Sequence, residues 1–236
     1  MKFRNYLMSL ILLLAPTSSL KSQTLSEVLQ KYAVAIGGDE NIAKIKSIYV
    51  ETIISDNEKQ SPCTTVVQNG KGCKSITEIT GQKYINCYTE KSGWFIYGNT
   101  NDKPNVMPEE QYKSCRIYIY TSKPFWNWAE KGYKAELVGK ENNESTDMYK
   151  IKVTVDDNYT AFYYFDASTS LPIKMTIPIE YKGETKIVTS TYHDYRKTKT
   201  GILYPFLVKT DLWGKVKTEH KVVKLEINRT VDPVIF

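Results

Sequence analysis

Two segments of the chain alternate apolar and polar residues with a period of two, and this pattern decides the fold class. The apolar members are Tyr149, Ile151, Val153 and Val155 in the first segment and Ile173, Met175, Ile177, Ile179 and Tyr181 in the second. Successive side chains of a strand point to opposite faces, so each segment is predicted to be a strand with one dry face. Such alternation is typical of antiparallel sheets, because strands of a parallel sheet are apolar on both faces.

Further strands are predicted on both sides of these segments. Between turn signals such as Asn69-Gly70 and Ser92-Gly93, apolar and β-branched residues predict strands at 47–54, 63–68, 72–79, 83–89 and 93–98. From about residue 120 to the end, the chain is predicted to be mainly antiparallel strands. The sequence therefore predicts about ten strands.

Helix signals are few and short. Thr24 and Glu27 form a capping box ahead of a helical pattern that ends at Gly37-Gly38, and Asp39 can start a second short helix. Pro108 is placed to open a third helix through residue 116. A fourth is predicted from residue 122 and ends before Gly132; it carries Phe125, Trp126 and Trp128.

Four short helices are too few to cover the dry face of a sheet this large. The shortage can be met if the sheet curls into an incomplete barrel around its dry side, with the helices as a lid. The predicted inward wall residues are Trp94, Ile96, Tyr149, Ile151, Val153, Ile173, Met175, Ile177 and Phe206. The residues predicted on or under the lid are Leu29, Tyr32, Phe125, Trp126 and Trp128. The fold class is thus mainly β, a curved antiparallel sheet with short helices.

An incompletely filled apolar concavity is a place for a hydrophobic ligand, and these fourteen residues are the predicted ligand contacts. Burying one methylene group gains about 0.8 kcal/mol, so a preformed cavity can hold an acyl chain with few polar contacts. The alternative is that the aromatic residues of the lid are ordinary core anchors, a common role for aromatic side chains. Alternation fixes which residues share a face better than it fixes which face is inward.

The first 22 residues have the features of an export signal. Lys2 and Arg4 precede an apolar run from Tyr6 to Ala15, which is short for a membrane span, and a small polar stretch follows. We expect cleavage near Ser22 and a single soluble domain from residue 23 to 236. Lys2, Arg4 and Lys21 belong to this leader, so the net charge of +6 becomes +3 in the mature chain. Without a basic stripe, nucleic-acid binding is not expected.

Four cysteines in an exported chain suggest two disulfides, for which three pairings exist. A three-residue hairpin loop at 79–81 would set Cys73 opposite Cys87 and leave Cys63 for Cys115. A two-residue loop would shift the register by one and turn the first pair to opposite faces.

Motifs of catalysis are absent from the sequence. It contains no G-x-S-x-G, no H-E-x-x-H, no P-loop and no glycine-rich dinucleotide turn. His193 stands beside Asp194 and near Arg196, but alternation sends His193 and Asp194 to opposite faces. The cysteine spacings contain no CxxC, and Asp156-Asp157-Asn158 is more simply a turn than a calcium loop. We expect no enzyme activity, cofactor or metal.

Several stretches resemble the LolA/LolB-like family of bacterial periplasmic lipoprotein carriers, in the divergent form known as outer-membrane lipoprotein-sorting proteins. They are residues 35–38 with 42–48, 92–97, 124–133 leading to 137–141, 164–166 through 171–174, 194–196 with 201–205, and 226–236. The resemblance spans nearly the whole mature chain. It implies an unclosed, strongly curved antiparallel sheet with short helices over a hydrophobic cavity that accepts acyl chains.

The expected function is a periplasmic carrier that holds acyl chains of lipoproteins or other lipids, with a role in sorting lipoproteins to the outer membrane. The resemblance implies transient contacts with membrane-associated donor and acceptor proteins, and we expect a monomer. The alternative is an envelope sensor that uses the same lipid-binding fold. Fold alone does not choose between them.

Overall fold

The computed structural model describes residues 23–56, 59–98, 103–121, 126–143, 146–156 and 159–236. The predicted leader, 1–22, and the predicted lid residue Phe125 lie outside the described residues.

Three α-helices are present in the described part of the chain: α1 (Leu25–Ala35), α2 (Asp39–Ala43) and α3 (Glu109–Cys115). The predicted capping box at the start of α1 is confirmed, since the Glu27 amide donates to Thr24 Oγ1 at 3.3 Å and the Thr24 amide donates to Glu27 Oε2 at 2.9 Å. A 3-10 turn, Arg116–Ile119, continues from α3, and a second 3-10 turn, Pro233–Ile235, lies near the C terminus.

Thirteen strands form one sheet within the described residues, and every neighbouring pair for which register is defined is antiparallel. They are β1 (Ser47–Asp56), β2 (Lys59–Gln68), β3 (Gly72–Ile79), β4 (Gln82–Thr89), β5 (Gly93–Gly98), β6 (Asn105–Val106), β7 (Lys134–Asn143), β8 (Thr146–Asp156), β9 (Tyr159–Asp166), β10 (Pro172–Tyr181), β11 (Glu184–Lys197), β12 (Leu203–Leu212) and β13 (Val216–Ile227). The predicted mainly β fold class is confirmed.

The strand order explains how the sheet curls without closing. It runs β6-β5-β4-β3-β2-β1-β13-β12-β11-β10-β9-β8-β7, so two meanders meet where β1 pairs with β13. The edges, β6 and β7, are consecutive along the chain. Their connection must pass from one edge of the curved sheet to the other, and it carries α3 and the 3-10 turn Arg116–Ile119 across the concave face.

The concave face is packed most tightly near β8 and β9. Ile151, Val153, Ala161 and Phe165 have no measurable exposure there. The ring of Tyr32 on α1 packs edge-on against Phe165, with 5.5 Å between the ring centroids. Burial of this apolar surface is the main source of stability that the structure provides.

The described part of the predicted fourth helix is not helical. Residues 126–132 form consecutive turns, and Asn127 and Gly132 both have left-handed backbone angles (φ 47° and 74°). A right-handed helix cannot continue through such residues. The segment packs over the concave face as a folded loop, so the predicted lid is partly a loop.

Candidate ligand-binding trough

The register of the strands brings one set of side chains to the concave face. Ile48 and Val50 of β1 lie opposite Val67 and Thr65 of β2. On the other side of β1, they face Ile227 and Leu225 of β13. The same alternation continues through the meanders on both sides, and it turns Met175, Tyr163 and Tyr192 to the same face.

A cavity of about 250 Å³ lies in the middle of this face, beneath the 3-10 turn that crosses it. Tyrosine rings make much of its wall, so we name it the tyrosine cavity. The lining residues are Ile48, Val50, Thr65, Val67, Cys73, Ile117, Tyr118, Tyr120, Thr121, Tyr159, Tyr163, Met175, Tyr192 and Tyr204.

A second cavity of about 290 Å³ lies nearer the hairpins that join β1 to β2 and β12 to β13. It is more open to solvent than the tyrosine cavity. Hydroxyl groups of several strands reach its wall, so we name it the hydroxyl cavity. The lining residues are Val50, Thr52, Cys63, Thr65, Met175, Ser190, Tyr192, Tyr204, Pro205, Val208, Thr210, His220 and Val222.

At the opposite end a smaller cavity of about 60 Å³ lies under α1 and α2, and we name it the helix-end cavity. Its wall is mostly isoleucine, proline and aromatic side chains. The lining residues are Tyr32, Ile36, Ile42, Ile45, Ile48, Thr121, Trp126, Pro172, Tyr195, Ile202, Leu203, Tyr204, Pro205 and Ile227.

The three cavities follow one another along the strands, and together we call them the trough. On β1, Ile48 lines the helix-end and tyrosine cavities, Val50 the tyrosine and hydroxyl cavities, and Thr52 the hydroxyl cavity alone. Tyr204 lines all three. Thr52 lies four positions after Ile48 along β1, a distance of about 13 Å. The trough is therefore apolar at its helix end, hydroxylated at its hairpin end, and long enough for an extended ligand.

Three of the tyrosine hydroxyls in the trough are held neutral by burial. Burial raises the pKa of Tyr163, Tyr192 and Tyr204 above the ordinary value, because the phenolate would lose its hydration. The Tyr192 hydroxyl lies 3.6 Å from Met175 Sδ. Neutral phenols can donate or accept a hydrogen bond while their rings contact hydrocarbon.

A half-buried lysine holds the loop over the helix end of the trough. Lys131 Nζ donates to the Trp126 carbonyl at 2.6 Å and lies 4.9 Å from the centre of the Tyr120 ring. Burial lowers the pKa of Lys131 to about 8. Trp126 and Trp128 pack against the buried cluster.

Nine of the fourteen predicted wall and lid residues are buried or half-buried in the concave cluster. Ile151, Val153 and Tyr32 are buried in the concave cluster, and the following residues pack against it while half-buried: Leu29, Trp126, Trp128, Tyr149, Met175 and Ile177. Tyr32, Trp126 and Met175 also line the trough. Their contact with a ligand is a proposal.

Trp94 and Ile96 lie on the opposite face, so their predicted inward position is wrong. Trp94 pairs with Cys87, which pairs with Lys74, and Lys74 Nζ lies 5.3 Å from the centre of a Trp94 ring. The same alternation that turns Cys73 into the tyrosine cavity turns Lys74 and its partners outward. The strand 93–98 is aromatic on both faces, so its pattern does not distinguish them.

Ile173 and Phe206 are not among the described residues that line the trough or pack in the buried cluster. The register of β10 and β9 shifts between Pro172 and Lys174, so Ile173 has no partner on β9. Phe206 stacks beneath Arg196, 4.7 Å from its guanidinium carbon, and lines a different, charge-walled cleft of about 540 Å³.

The β3–β4 hairpin overturns the predicted register of the cysteines. Its loop is the two residues Thr80 and Gly81, both with positive φ (51° and 79°), not the three residues expected. Cys73 therefore faces Tyr88 across the strands while Cys87 faces Lys74, which puts the two thiols on opposite faces.

All four cysteines have free thiols in the structure, so neither predicted disulfide is present. Cys63 lines the hydroxyl cavity, whereas Cys115 packs beside the buried Cys73 and Tyr88. Burial raises the pKa of Cys73 to about 12 and that of Cys87 to about 11, so both are protonated near neutral pH.

His193 and Asp194 each contact a different side chain and not one another. His193 Nε2 lies 2.8 Å from Thr191 Oγ1, and Asp194 accepts from Arg196 Nε at 2.9 Å. Among the residues that the structure describes, no group of three or more His, Cys, Asp or Glu side chains is arranged to hold a metal ion. The helices in the described ranges are too short or too polar to cross a membrane.

Solved structures share this architecture. A LolA superfamily protein from Nitrosomonas europaea matches with a TM-score of 0.61 at 15% identity, over 91% of this chain and 98% of that one. A protein described as an outer membrane lipoprotein-sorting protein domain from Vibrio parahaemolyticus matches at 0.59 and 14% identity, over 89% and 94%. The chain has the LolA-like fold. A DUF1329 family protein from Desulfovibrio piger also shares this fold, at 0.60 and 13% identity, over 91% of this chain and 98% of that one. No protein-family profile and no curated protein matches the chain.

Sequence reasoning missed the residues that line most of the LolA-like trough. Tyr159, Tyr163, Tyr192 and Tyr204 surround the tyrosine cavity, yet none of them was among the predicted wall residues. The signal was present in 159–165, where Tyr159, Ala161, Tyr163 and Phe165 recur with a period of two. It was obscured because Phe162 and Tyr164 make the other face aromatic as well.

Proposed function

We propose that this LolA-like protein is a carrier that holds the acyl chain of a lipid or lipoprotein in the trough. The observation that carries the proposal is the adjoining pair of cavities, about 250 and 290 Å³, on a concave face that is closely packed near β8 and β9. Together they reach the volume of a typical small-molecule site, and most residues in their walls are apolar or aromatic. Each methylene moved from water into such a space gains about 0.8 kcal/mol.

The finer role in this proposal is the sorting of lipoproteins in the periplasm. It is supported by the fold shared with the protein described as an outer membrane lipoprotein-sorting protein domain. In this role residues 1–22 direct export, the remainder acts as one monomeric domain, and membrane-associated donor and acceptor proteins meet the carrier transiently. The carrier performs no covalent chemistry on its cargo.

Native mass spectrometry tests the carrier proposal. Protein purified gently from its native host should carry an adduct of acyl-lipid mass that organic solvent removes. Repeated failure to find an adduct, together with failure of the emptied protein to take up a fluorescent fatty acid, would refute the proposal.

A matched pair of variants on β10 links the adduct to the trough. Met175 lines both the tyrosine cavity and the hydroxyl cavity, whereas its neighbour Thr176 faces the other side of the sheet, opposite Thr189. Met175→Asp should reduce the retained lipid, because a carboxylate in this wall is poorly solvated. Thr176→Asp should retain it. Equal retention by the two folded variants would show that the lipid is bound elsewhere.

A further inference from the structure

The hydroxyl cavity differs from the rest of the trough in the chemistry of its wall. Ser190 and Thr210 lie directly opposite each other on β11 and β12, and their hydroxyl oxygens are 3.1 Å apart. Thr52 and Thr65 add hydroxyls from β1 and β2. Ser190 is only 6% exposed. Hydroxyl groups both donate and accept hydrogen bonds, so this wall can satisfy a polar group of either kind.

His220 completes this polar wall from β13. Its Nε2 lies 3.1 Å from Thr218 Oγ1, and burial lowers its pKa, so the ring is neutral near pH 7. Of the described residues that line the hydroxyl cavity, none carries a carboxylate, an ammonium or a guanidinium group.

The charged residues of the same strands are turned away from the cavity. Thr210 and Thr218 form the inward pair of β12 and β13, while Lys209 and Glu219, one position along each strand, form the next pair. Lys209 Nζ and Glu219 Oε1 lie 2.6 Å apart on that outer face. An ionised headgroup in the hydroxyl cavity would thus be partly desolvated without an opposite charge beside it, which is costly.

We propose that the hydroxyl cavity recognises the headgroup of an amphiphile that is uncharged and bears hydroxyl or ester groups, as in a monoacylglycerol. This inference rests on the proposed carrier function and names its ligand class. The headgroup exchanges hydrogen bonds with Thr210, Ser190 and their neighbours, and the acyl chain extends past Tyr204 toward the helix-end cavity. A free fatty acid has the same chain but an ionised head, so it binds more weakly at neutral pH.

Calorimetric titration with two probes of equal chain length tests the inference. Delipidated protein is titrated with 1-monopalmitoylglycerol and with sodium palmitate at pH 7.5, each below the concentration at which it aggregates. The monoacylglycerol should bind at least about tenfold more tightly, because only the palmitate headgroup is charged. Equal or tighter binding of palmitate would overturn the headgroup inference and leave the carrier proposal standing. Absence of binding by both probes would overturn the carrier proposal and the inference with it.

Variants of the opposed hydroxyls locate the headgroup. Thr210→Val should weaken monopalmitoylglycerol binding by about fivefold, the effect of one neutral hydrogen bond, and leave palmitate binding nearly unchanged. Ser190→Ala is the second variant, with the same expected result. Thr189→Val, one residue along β11 on the opposite face, is the matched control and should bind both probes as the wild type does.

A positive charge introduced into the hydroxyl cavity should reverse the preference between the two probes. Thr210→Lys should shift the preference toward palmitate, because the ammonium supplies the missing counter-charge. If wild type, Thr210→Val and Thr210→Lys all show the same ratio of affinities for the two probes, the headgroup lies elsewhere and the inference is wrong.

Discussion

Filling the trough with a side chain of the protein itself should remove ligand binding without removing stability. Val50 is 8% exposed and lines both the tyrosine cavity and the hydroxyl cavity. Val50→Phe adds about four carbon atoms at their junction. If these displace about four methylenes of an acyl chain, the lost transfer free energy is about 3 kcal/mol, or roughly 200-fold in affinity.

The same substitution in a filled core should lower the stability of the protein and leave its ligand affinity unchanged. Overpacking costs about 1–3 kcal/mol of stability, whereas a ring that enters existing space costs little. Val153 is the control, because it has no measurable exposure and is not among the described residues that line the trough. Val153→Phe should therefore lower the melting temperature by about 2–4 °C for each kcal/mol of overpacking.

Two assays separate the outcomes: calorimetric unfolding of the empty proteins, and titration with a fluorescent fatty acid well below the melting temperature. Val50→Phe should melt within about 2 °C of the wild type and bind far more weakly, while folded Val153→Phe should melt earlier and keep its affinity. If Val50→Phe is destabilised as much as Val153→Phe and still binds the probe like the wild type, the trough is not the ligand site.

Three further results are expected. The folded-state pKa of Lys131 is about 8, below the unfolded value near 10.4, so the unfolded chain binds more protons between these pH values. Wild-type stability should therefore rise relative to Lys131→Met as pH increases from 8 to 10.5, by on the order of 3 kcal/mol; a pH-independent difference in urea unfolding would refute the burial argument. Gly72→Ala should cost about 1 kcal/mol, because its Cβ would lie 2.6 Å from the Phe236 ring. Adding Phe236→Ala should remove that cost, and strictly additive effects would contradict the contact. Ile151→Ala, at a position with no measurable exposure, should cost about 2–5 kcal/mol in the same assay, and a loss below 1 kcal/mol would contradict its place in the core.

Local patterns predicted the elements of this fold well because each element depends on nearby residues. The predicted bounds of β3 and β5 agree with the structure, and the capping box of α1 is present as expected. The alternation at 149–155 predicts Ile151 and Val153 on the inward face, and both are buried there. They were expected in the wall of a cavity, yet neither is among the described residues that line the trough. The strong apolar contrast between the two faces of β8 makes its pattern unambiguous.

The errors have one physical cause, which is that a single residue of offset exchanges the faces of a strand. The left-handed Thr80 shortened a hairpin loop by one residue and separated Cys73 from Cys87. The bulge at Ile173 broke an otherwise regular series. In β5 aromatic residues occur on both faces, so alternation alone does not decide which face Trp94 takes; its pairing with Cys87, the partner of Lys74, does.

The shortage of helices in the sequence predicts that the sheet encloses an unfilled apolar space. The sequence does not predict where in the sheet that space lies. Its tyrosine cavity lies beneath the 3-10 turn of the connection between β6 and β7. The strand order requires this connection to pass between the two edges of the sheet, and no sequence motif marks it. The hydroxyl cavity depends on the register that brings Ser190 to Thr210.

A crystal structure of the protein with a monoacylglycerol that carries bromine at the end of its acyl chain would locate both ends of the bound ligand. We expect an anomalous bromine peak in the apolar part of the trough, between Tyr204 and the helix-end cavity, with the glycerol head near Thr210. A bromine peak outside the trough, above an interior closed by the protein's own side chains, would show that the trough is not the ligand site.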